Sequence, residues 1–412
     1  MLKKLITPWT AWLAFLGVLL LGGLVAGILV FWKGLGITNL TDLVPWGLWI
    51  TIDLSSIALG AGAFSLCAGV YLFGLKRYQP IARTATFVGL IGYTMATLAL
   101  ILDIGKPERF WHSMVYWNTH SLLWEVTMCV ILYLSVLLLE TMPILANLEW
   151  LRKRLPRIAS LMEGVHHYAP ILAIIGLGLS SLHQSSLGAT YGVIKARPFW
   201  FKPEMSVLFM LSAIVGGISL TLFASMLASR LTSKAKINDA LIERVAHFVG
   251  YLLIGYFYFR AWDALSMTYA YDPGRSEGLH LITKGPLAFN FWIVEMLLGM
   301  IVPLVLLLYK PTRTNRFWRM IALFLVATGV VAFRWDTNIT GFLVIMPYVP
   351  GQAIAYTSYK PSLVEVMAGA AIIAYGLTAF SLGVKYLRVV DHSLVEVEHK
   401  TVKVEATEPV TI

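Results

Sequence analysis

Charge is scarce in this chain. Of its 412 residues only 13% are Asp, Glu, Lys or Arg, while 58% are hydrophobic, against about 25% charged in an ordinary soluble domain. That shortage excludes a water-soluble globular protein. Cysteine is scarcer still, with only Cys67 and Cys129, both inside apolar runs and neither in a Cys-x-x-Cys or Cys-x-x-Cys-His arrangement. Thiolate ligation of an iron–sulfur cluster, c-type haem attachment and a structural disulfide are thereby excluded for this chain. Polar stretches long enough for a soluble domain are missing too. At about 20 apolar residues per bilayer crossing, the length leaves room for ten helices and short loops, so water-borne chemistry falls to partner subunits.

What is present is a regular series of apolar runs, at about 10–32, 45–74, 84–104, 121–142, 168–188, 205–228, 246–269, 288–309, 317–337 and 363–384. The first, from Trp9 to Trp32, is too long for a signal-peptide core and reads as a retained helix. The expected fold is an all-α integral membrane protein of ten transmembrane helices, a single domain over 1–384 followed by a tail over 385–412. Laying helices 2–5 over helices 6–9 shows a weak repetition. The third helices end with Asp103 and Asp263, and the fourth begin with Leu-Leu-Trp-Glu125 and Trp-Ile-Val-Glu295. Four crossings return the chain to the same side, so the repeat is parallel. It implies two four-helix bundles, over 45–188 and 205–337, with helices 1 and 10 flanking them.

The net charge of +10 reflects loop placement rather than affinity for nucleic acid. The N-terminus, the tail and the alternate loops at 75–83, 143–167, 229–245 and 310–319 hold 21 Lys and Arg, and the other loops hold 9. The positive-inside rule therefore puts both termini in the cytoplasm of a multi-pass inner-membrane protein. Arg260 and Arg334 complete the basic residues, and both fall inside apolar runs.

This topology gives each titratable residue a depth. Asp53 lies eight residues past Pro45, about 12 Å down at 1.5 Å per residue. Asp103, His183, Arg260, Asp263, Arg334 and Asp336 fall near the outer ends of their helices, and Glu125, Glu295 and Glu365 in the first turns of theirs. Asp336, Glu365 and Asp263 read as interfacial. Asp53, Glu125, His183 and Glu295 are flanked by apolar residues on both sides, and an ionisable group in hydrocarbon is expensive enough to mark a functional cavity. Arg260 and Arg334 read as counter-ions, Arg260 with Asp263 at i, i+3 spacing. The inner half offers Ser65, Thr94, Ser135 and Ser212, with Glu140 at the inner end of its helix; no continuous proton path to the cytoplasm is legible there. His166, His167 and His247 sit at inner helix ends in a spacing that does not favour a b-type haem.

Three segments stand out together: Pro45-Trp46-Gly47-Leu48-Trp49-Ile50-Thr51-Ile52-Asp53, Leu102-Asp103-Ile104-Gly105-Lys106-Pro107, and Leu182-His183-Gln184-Ser185-Ser186-Leu187-Gly188. With Trp124-Glu125 they supply one polar group from each of four successive helices, the requirement for a ligand site in a bundle core. As a set these motifs resemble the NrfD/PsrC family of quinone-interacting membrane subunits over about residues 10–385. The closest likeness is to the ten-helix branch that includes membrane subunits of respiratory nickel–iron hydrogenases and DsrP of the sulfite-reduction-associated complex.

The resemblance implies a subunit without haem or iron–sulfur cluster of its own, exchanging electrons between menaquinone and a ferredoxin-like iron–sulfur protein on the outer face. Further cytochrome, hydrogenase or sulfur-metabolism subunits would accompany it. It also implies a quinone site near Pro45–Trp49, Asp53, Asp103, Glu125 and His183. The residues fit that chemistry. His183 suits a quinone carbonyl because imidazole donates or accepts near neutral pH, with Gln184 beside it. Asp53, Asp103 and Glu125 suit proton exchange with the outer aqueous phase. Trp46, Trp49 and Trp124 read either as ring-packing residues or as an interfacial belt.

The outer segments 105–120 and 338–362 are rich in Trp, Tyr and His, including Tyr348, and suit a protein interface. The tail alternates Val and charge from Leu394 to Val404, the pattern of a strand added to a partner or of a disordered segment. Two other functions fit a chain of this composition: a secondary transporter built on parallel repeats, and a membrane anchor without quinone chemistry. Polar residues gathered on one side count against a transporter, which favours midplane sites. The topology is tested with phosphatase fusions: those made after Lys106 or Lys284 are expected to be active and those after Arg77 or Lys310 inactive, and the reverse would invert the orientation.

Overall fold

The computed structural model describes residues 7–347, 351–387 and 389–392, Ala63 by its backbone alone. Ten helices among these residues are long and apolar enough to cross a membrane: α1 (Pro8–Lys33), α2 (Leu48–Tyr71), α3 (Lys76–Asp103), α4 (Leu122–Leu145), α5 (Pro156–Gly192), α6 (Met205–Leu231), α7 (Asp239–Tyr269), α8 (Asn290–Leu308), α9 (Arg316–Leu343) and α10 (Leu363–Tyr386). The number agrees with the apolar runs, and most boundaries fall within a few residues. Helices α3, α5, α7 and α9 each run six or more residues past their apolar run at one end. Helix α2 begins at Leu48 because Pro45 and Gly47 hold an extended entry, so Asp53 lies five residues, about 8 Å, into its helix. Helix α5 extends back to Pro156 through a 3₁₀ turn at Val165–Tyr168. That added stretch buries only Ala159, as expected for a segment resting on the bundle end rather than crossing it.

The helices close into two rings. Helix α2 packs on α3, α3 on α4, α4 on α5 and α5 back on α2; likewise α6 packs on α7, α7 on α8, α8 on α9 and α9 back on α6. Helix α6 lies along α2 and α5, and α9 along α2, which joins the rings. Helices α1 and α10 pair with each other and cover α3. Exposed Val18, Leu21, Leu24, Ile28 and Phe31 line the outside of α1, the surface expected of a helix facing lipid.

Without a hydrophobic force to drive helices together in lipid, close packing needs small residues at the crossings. At the junction of the rings, Gly62 of α2 and Gly217 of α6 meet backbone to backbone, and a Cβ on either would overlap the other helix. Helix α2 is interrupted beside this contact, at Ala61.

The face where α1 begins and α10 ends, called here the terminal face, is also crossed by the described end of the chain. Thr84 Oγ1 donates to the Val389 carbonyl at 2.8 Å, Lys236 N to the Val390 carbonyl at 3.2 Å, and His392 N to the Lys236 carbonyl at 2.8 Å. Asn238 N donates to His392 Nδ1 at 3.0 Å, which needs an unprotonated ring nitrogen; burial pushes the His392 imidazole down to about 4. The alternating segment from Leu394 to Val404 lies outside the described residues. On the opposite face a two-residue ribbon pairs β1 (Val344–Ile345) antiparallel with β2 (Ala355–Tyr356), Val344 opposite Tyr356. Tyr348 is also outside the described residues.

Gly217→Val drives a branched side chain into the α2 backbone and is expected to cost about 1–3 kcal/mol of stability. A lowered melting temperature of the purified chain checks this, and an unchanged one would mean the helices stand further apart.

Candidate functional site

The polar residues of the first ring converge at the end away from the terminal face. His183, on α5, is fully buried. Its Nδ1 lies 2.9 Å from the hydroxyl of Tyr93 on α3, and its Nε2 has no hydrogen-bond partner among the described residues. The next residue, Gln184, donates from Nε2 to the Ile57 carbonyl of α2 at 3.2 Å and leaves Oε1 unpartnered. Asp53 is 3% exposed with Oδ1 unpartnered, and Asp103, whose electrostatic neighbours include Asp53 and Glu365, also has a buried unpartnered Oδ1. Glu125 accepts a hydrogen bond from Ser186 Oγ at 2.7 Å. Four helices thus contribute His183, Asp53, Asp103 and Glu125 to one end of one ring, and no ion pair reaches any of the carboxylates among the described residues. A buried polar atom without a partner is costly, and its persistence calls for a ligand or a proton.

The aromatic residues separate. Trp46 sits at the joint between rings, edge-on to Tyr191 and Phe342 with centroids 5.8 Å away and stacked on Trp200 at 6.4 Å. Trp49 turns away from the polar cluster, into a cluster with Ala26, Val30, Ala99, Ala368 and Ile372, where its Nε1 donates to the Glu365 carbonyl at 3.0 Å. Trp124 donates from Nε1 to the Ser113 carbonyl at 2.9 Å and fastens the short helix His112–Val115 to α4. Pro45 is exposed. Of these four, Trp46 and Trp49 are held chiefly by packing between helices, and Trp124 by the loop it anchors.

Three acids expected at the interface are buried instead. Glu365 caps α10: it accepts hydrogen bonds from Ser362 N at 2.8 Å, from Asn39 N at 3.0 Å and from the Tyr359 hydroxyl. The same Tyr359 oxygen accepts from Leu48 N at 2.9 Å, and a Cβ at residue 47 would strike it, so Gly47 of the Pro-Trp-Gly motif leaves room for that oxygen. Asp263 is gripped by Lys202 and by Arg260 Nη1 at 2.5 Å. Burial pushes the Lys202 ammonium down and Asp263 draws it back up. Asp336 accepts from Asn290 Nδ2 at 2.8 Å. Counting residues to a helix end measures depth but not the face a side chain takes, which is why these three were misplaced.

The second ring is therefore a network of charge pairs. Arg260 Nε donates to Glu295 at 2.6 Å, so one guanidinium serves both Glu295 and Asp263. Glu295 lies in a π-helical stretch, Asn290–Ile301. Its wider turn brings residues five apart onto one face, and Asn290 and Glu295 both bond inward. The i, i+3 pairing of Arg260 with Asp263 follows the sequence spacing. Arg334 pairs with no acid among the described residues: its guanidinium lies 3.6 Å over the Phe209 ring and donates to the Phe209 carbonyl and Ser212 Oγ.

Sequence reasoning missed Tyr93, the partner of His183, and Asn338, whose Nδ2 donates to the Trp46 and Gly47 carbonyls and to Thr51 Oγ1 while its Oδ1 accepts from Tyr191. Tyr93 sits within an apolar run and Asn338 directly follows one, and a phenol or amide there is the signal that was available. The hydroxyls of Ser65, Thr94, Ser135 and Ser212, expected in the inner half, each donate to a carbonyl of their own helix, and Ser212 lies instead beside Arg334 toward the end away from the terminal face.

A cavity of about 440 Å³ opens among α2, α3, α4 and α5, and it lies at the terminal face rather than beside His183, lined by Arg83, Glu140, Glu163 and His166 among others.

The family model described as polysulphide reductase, NrfD, matches residues 36–346. The integral membrane subunit of a menaquinone reductase from Nitratidesulfovibrio vulgaris is 31% identical over 93% of this chain and 92% of its own length. A selenate reductase subunit from Mesobacillus selenatarsenatis is 28% identical over 94% and 95%. The Hdr-like menaquinol oxidoreductase integral membrane subunit of Archaeoglobus fulgidus is 25% identical over 88% and 89%.

The two rings respond differently to charge removal. Arg260→Ala strands two buried carboxylates and is expected to cost about 3–5 kcal/mol, whereas Asp53→Asn neutralises an unpaired buried acid and leaves stability unchanged or higher. Thermal denaturation of both variants checks this; equal losses would contradict it.

Proposed function

The chain belongs to the NrfD family, and from that premise we propose that it is the quinone-binding membrane subunit of a multisubunit redox complex. The observation that carries the reading is His183: buried, backed by Tyr93, with Nε2 unpartnered among the described residues, in a ring whose other helices carry carboxylates without a cation. The names of the Nitratidesulfovibrio and Archaeoglobus relatives support menaquinone as the substrate class.

The residues present fit such a substrate. A quinone gains two electrons and two protons on becoming a quinol, and its two ring oxygens need hydrogen-bonding partners in both states. His183 Nε2 donates to or accepts from one oxygen, with Tyr93 fixing the imidazole through Nδ1. Gln184 Oε1 and Ser180 Oγ on α5, and Asp53 Oδ1 and Ser55 Oγ on α2, are also without a hydrogen-bond partner among the described residues. Asp103, partly exposed at the end of α3, exchanges protons with the aqueous phase on the side away from the terminal face, and Glu125 holds Ser186 in place beside His183. The positive-inside count makes that side the outer one.

Electrons come from outside this chain. The exposed Phe110, Trp111, Tyr116 and Trp117 gather on the loop between α3 and α4, beside Asp103, and present an aromatic surface of the kind enriched at protein interfaces. An iron–sulfur partner docked there stands on the same side as the quinone.

Removing His183 or neutralising Asp103 tests the proposal. In the purified complex, His183→Ala and Asp103→Asn are each expected to lower quinol-linked electron transfer by about 100-fold or more, with the partner proteins still copurifying. Unchanged electron transfer in both variants would leave a pure membrane anchor.

A further inference from the structure

Between α4 and α5 the chain runs along the terminal face before it turns inward. A short helix, Glu149–Arg154, meets the first stretch of α5, Pro156–Gly164, in an elbow at Leu155. Arg152 fixes the elbow: Nε donates to the Ala146 carbonyl and Nη2 to Asn147 Oδ1, both at 3.2 Å, and Nη2 also pairs with Glu163. At 3.6 residues per turn, the Pro156–Gly164 stretch has two flanks. Ala159 is buried against the bundle, with Ile158 and Leu161 on one flank and Arg157 and Ser160 on the other. Trp150, Leu155, Ile158 and Leu161 are all exposed, Leu161 by 75%. Apolar side chains gathered so openly are out of place in water. They are in place where an amphipathic helix lies in a membrane boundary.

The cations of the elbow stand apart as well. Elsewhere on the terminal face Glu243 answers Arg313, and Asp239 answers Arg316 and Arg319. In the elbow Arg152 is taken by Glu163, and Lys153 lies 3.8 Å from Glu149 with both side chains well exposed. Arg154 and Arg157 have neither an ion pair nor a hydrogen bond among the described residues. Two positive charges are therefore left unanswered, beside an apolar surface.

We propose that the elbow binds an anionic phospholipid, its phosphate held by Arg154 and Arg157 and its acyl chains lying beside Ile158 and Leu161. A guanidinium suits this ligand because its planar fork matches phosphate oxygens. Two unanswered charges favour a headgroup with net negative charge over a zwitterionic one, whose own amine already balances the phosphate. The occupant is a lipid rather than an acidic protein because the exposed apolar surface runs on along α5 through Tyr168, Ile171, Ile174 and Ile175, the part of that helix that enters the bilayer. The site does not depend on the quinone reading. Its lipid braces the elbow, whose Glu163 and neighbouring Asn147 also line the terminal-face cavity.

Trp150 reports on the site. The full-length chain is placed in phosphatidylcholine vesicles containing rising mole fractions of dibrominated phosphatidylglycerol or dibrominated phosphatidylcholine. Its Trp150 emission is the difference between the wild-type chain and Trp150→Phe. Half-quenching is expected at an about fivefold lower mole fraction of the anionic lipid, the attraction of a single surface cation, or lower still with two. In the double variant Arg154→Gln/Arg157→Gln the two lipids are expected to quench alike, with the phosphatidylcholine curve unmoved. Neither arginine has a partner to lose, so the fold is not at stake. Lys284→Gln, on the opposite face, is expected to keep the wild-type preference. Equal quenching by both lipids in the wild-type chain, or a preference that survives in the double variant, overturns the proposal. So does a preference abolished by millimolar inorganic phosphate at constant ionic strength, which marks a site for soluble anions. A Trp150 that neither brominated lipid quenches also overturns it and leaves the elbow to an acidic protein partner.

Discussion

An ionisable group inside a lipid-embedded helix bundle must be paired, hydrogen-bonded or kept neutral, because hydrocarbon offers it nothing else. The two rings meet this constraint in opposite ways. In the second, Arg260 stands between Glu295 and Asp263, Lys202 adds a further cation to Asp263, and Asn290 holds Asp336. In the first, no described cation approaches Asp53, Asp103 or Glu125, and His183 keeps one nitrogen free. Glu295 and Asp263 are already held by cations, whereas Asp336 in the same ring keeps Oδ2 without a partner among the described residues. The first ring differs in having no described cation on any of its three acids.

Packing keeps these two environments apart. Gly62 and Gly217 let α2 and α6 touch backbone to backbone, so the joint between rings is too tight for a passage there. Trp46, Tyr191, Trp200 and Phe342 fill the rest of it near the end away from the terminal face. Helices α1 and α10 close the side of α3, with Trp49 and the Glu365 cap securing the start of α2. The first ring thereby keeps two separate polar regions, the cavity beside Glu140 at the terminal face and the His183 cluster at the other end.

Much of this was readable from residue order. Ten apolar runs become ten helices because length and hydropathy suffice to specify a crossing. The Arg260–Asp263 pair follows from a spacing of three on a helix, and the His-Gln-Ser-Ser motif does occupy a bundle core. Tyr93 and Asn338 escaped notice because a lone tyrosine or asparagine in or beside an apolar run carries no periodic signal; their roles come from partners on other helices, as Tyr93 with His183, 90 residues away. Arg334 was expected beside an acid and lies instead on Phe209, since ring faces also receive a guanidinium.

Composition and charge distribution alone established that the chain lives in a membrane, how many times it crosses, and which loops are basic, since these depend on sums over local segments. Which buried acid meets a cation, that the cavity opens at Glu140, and that Tyr93 stands against His183 were decided only by the tertiary structure. Each depends on the rotation of one helix against another, and a residue's position in its own helix does not encode that angle.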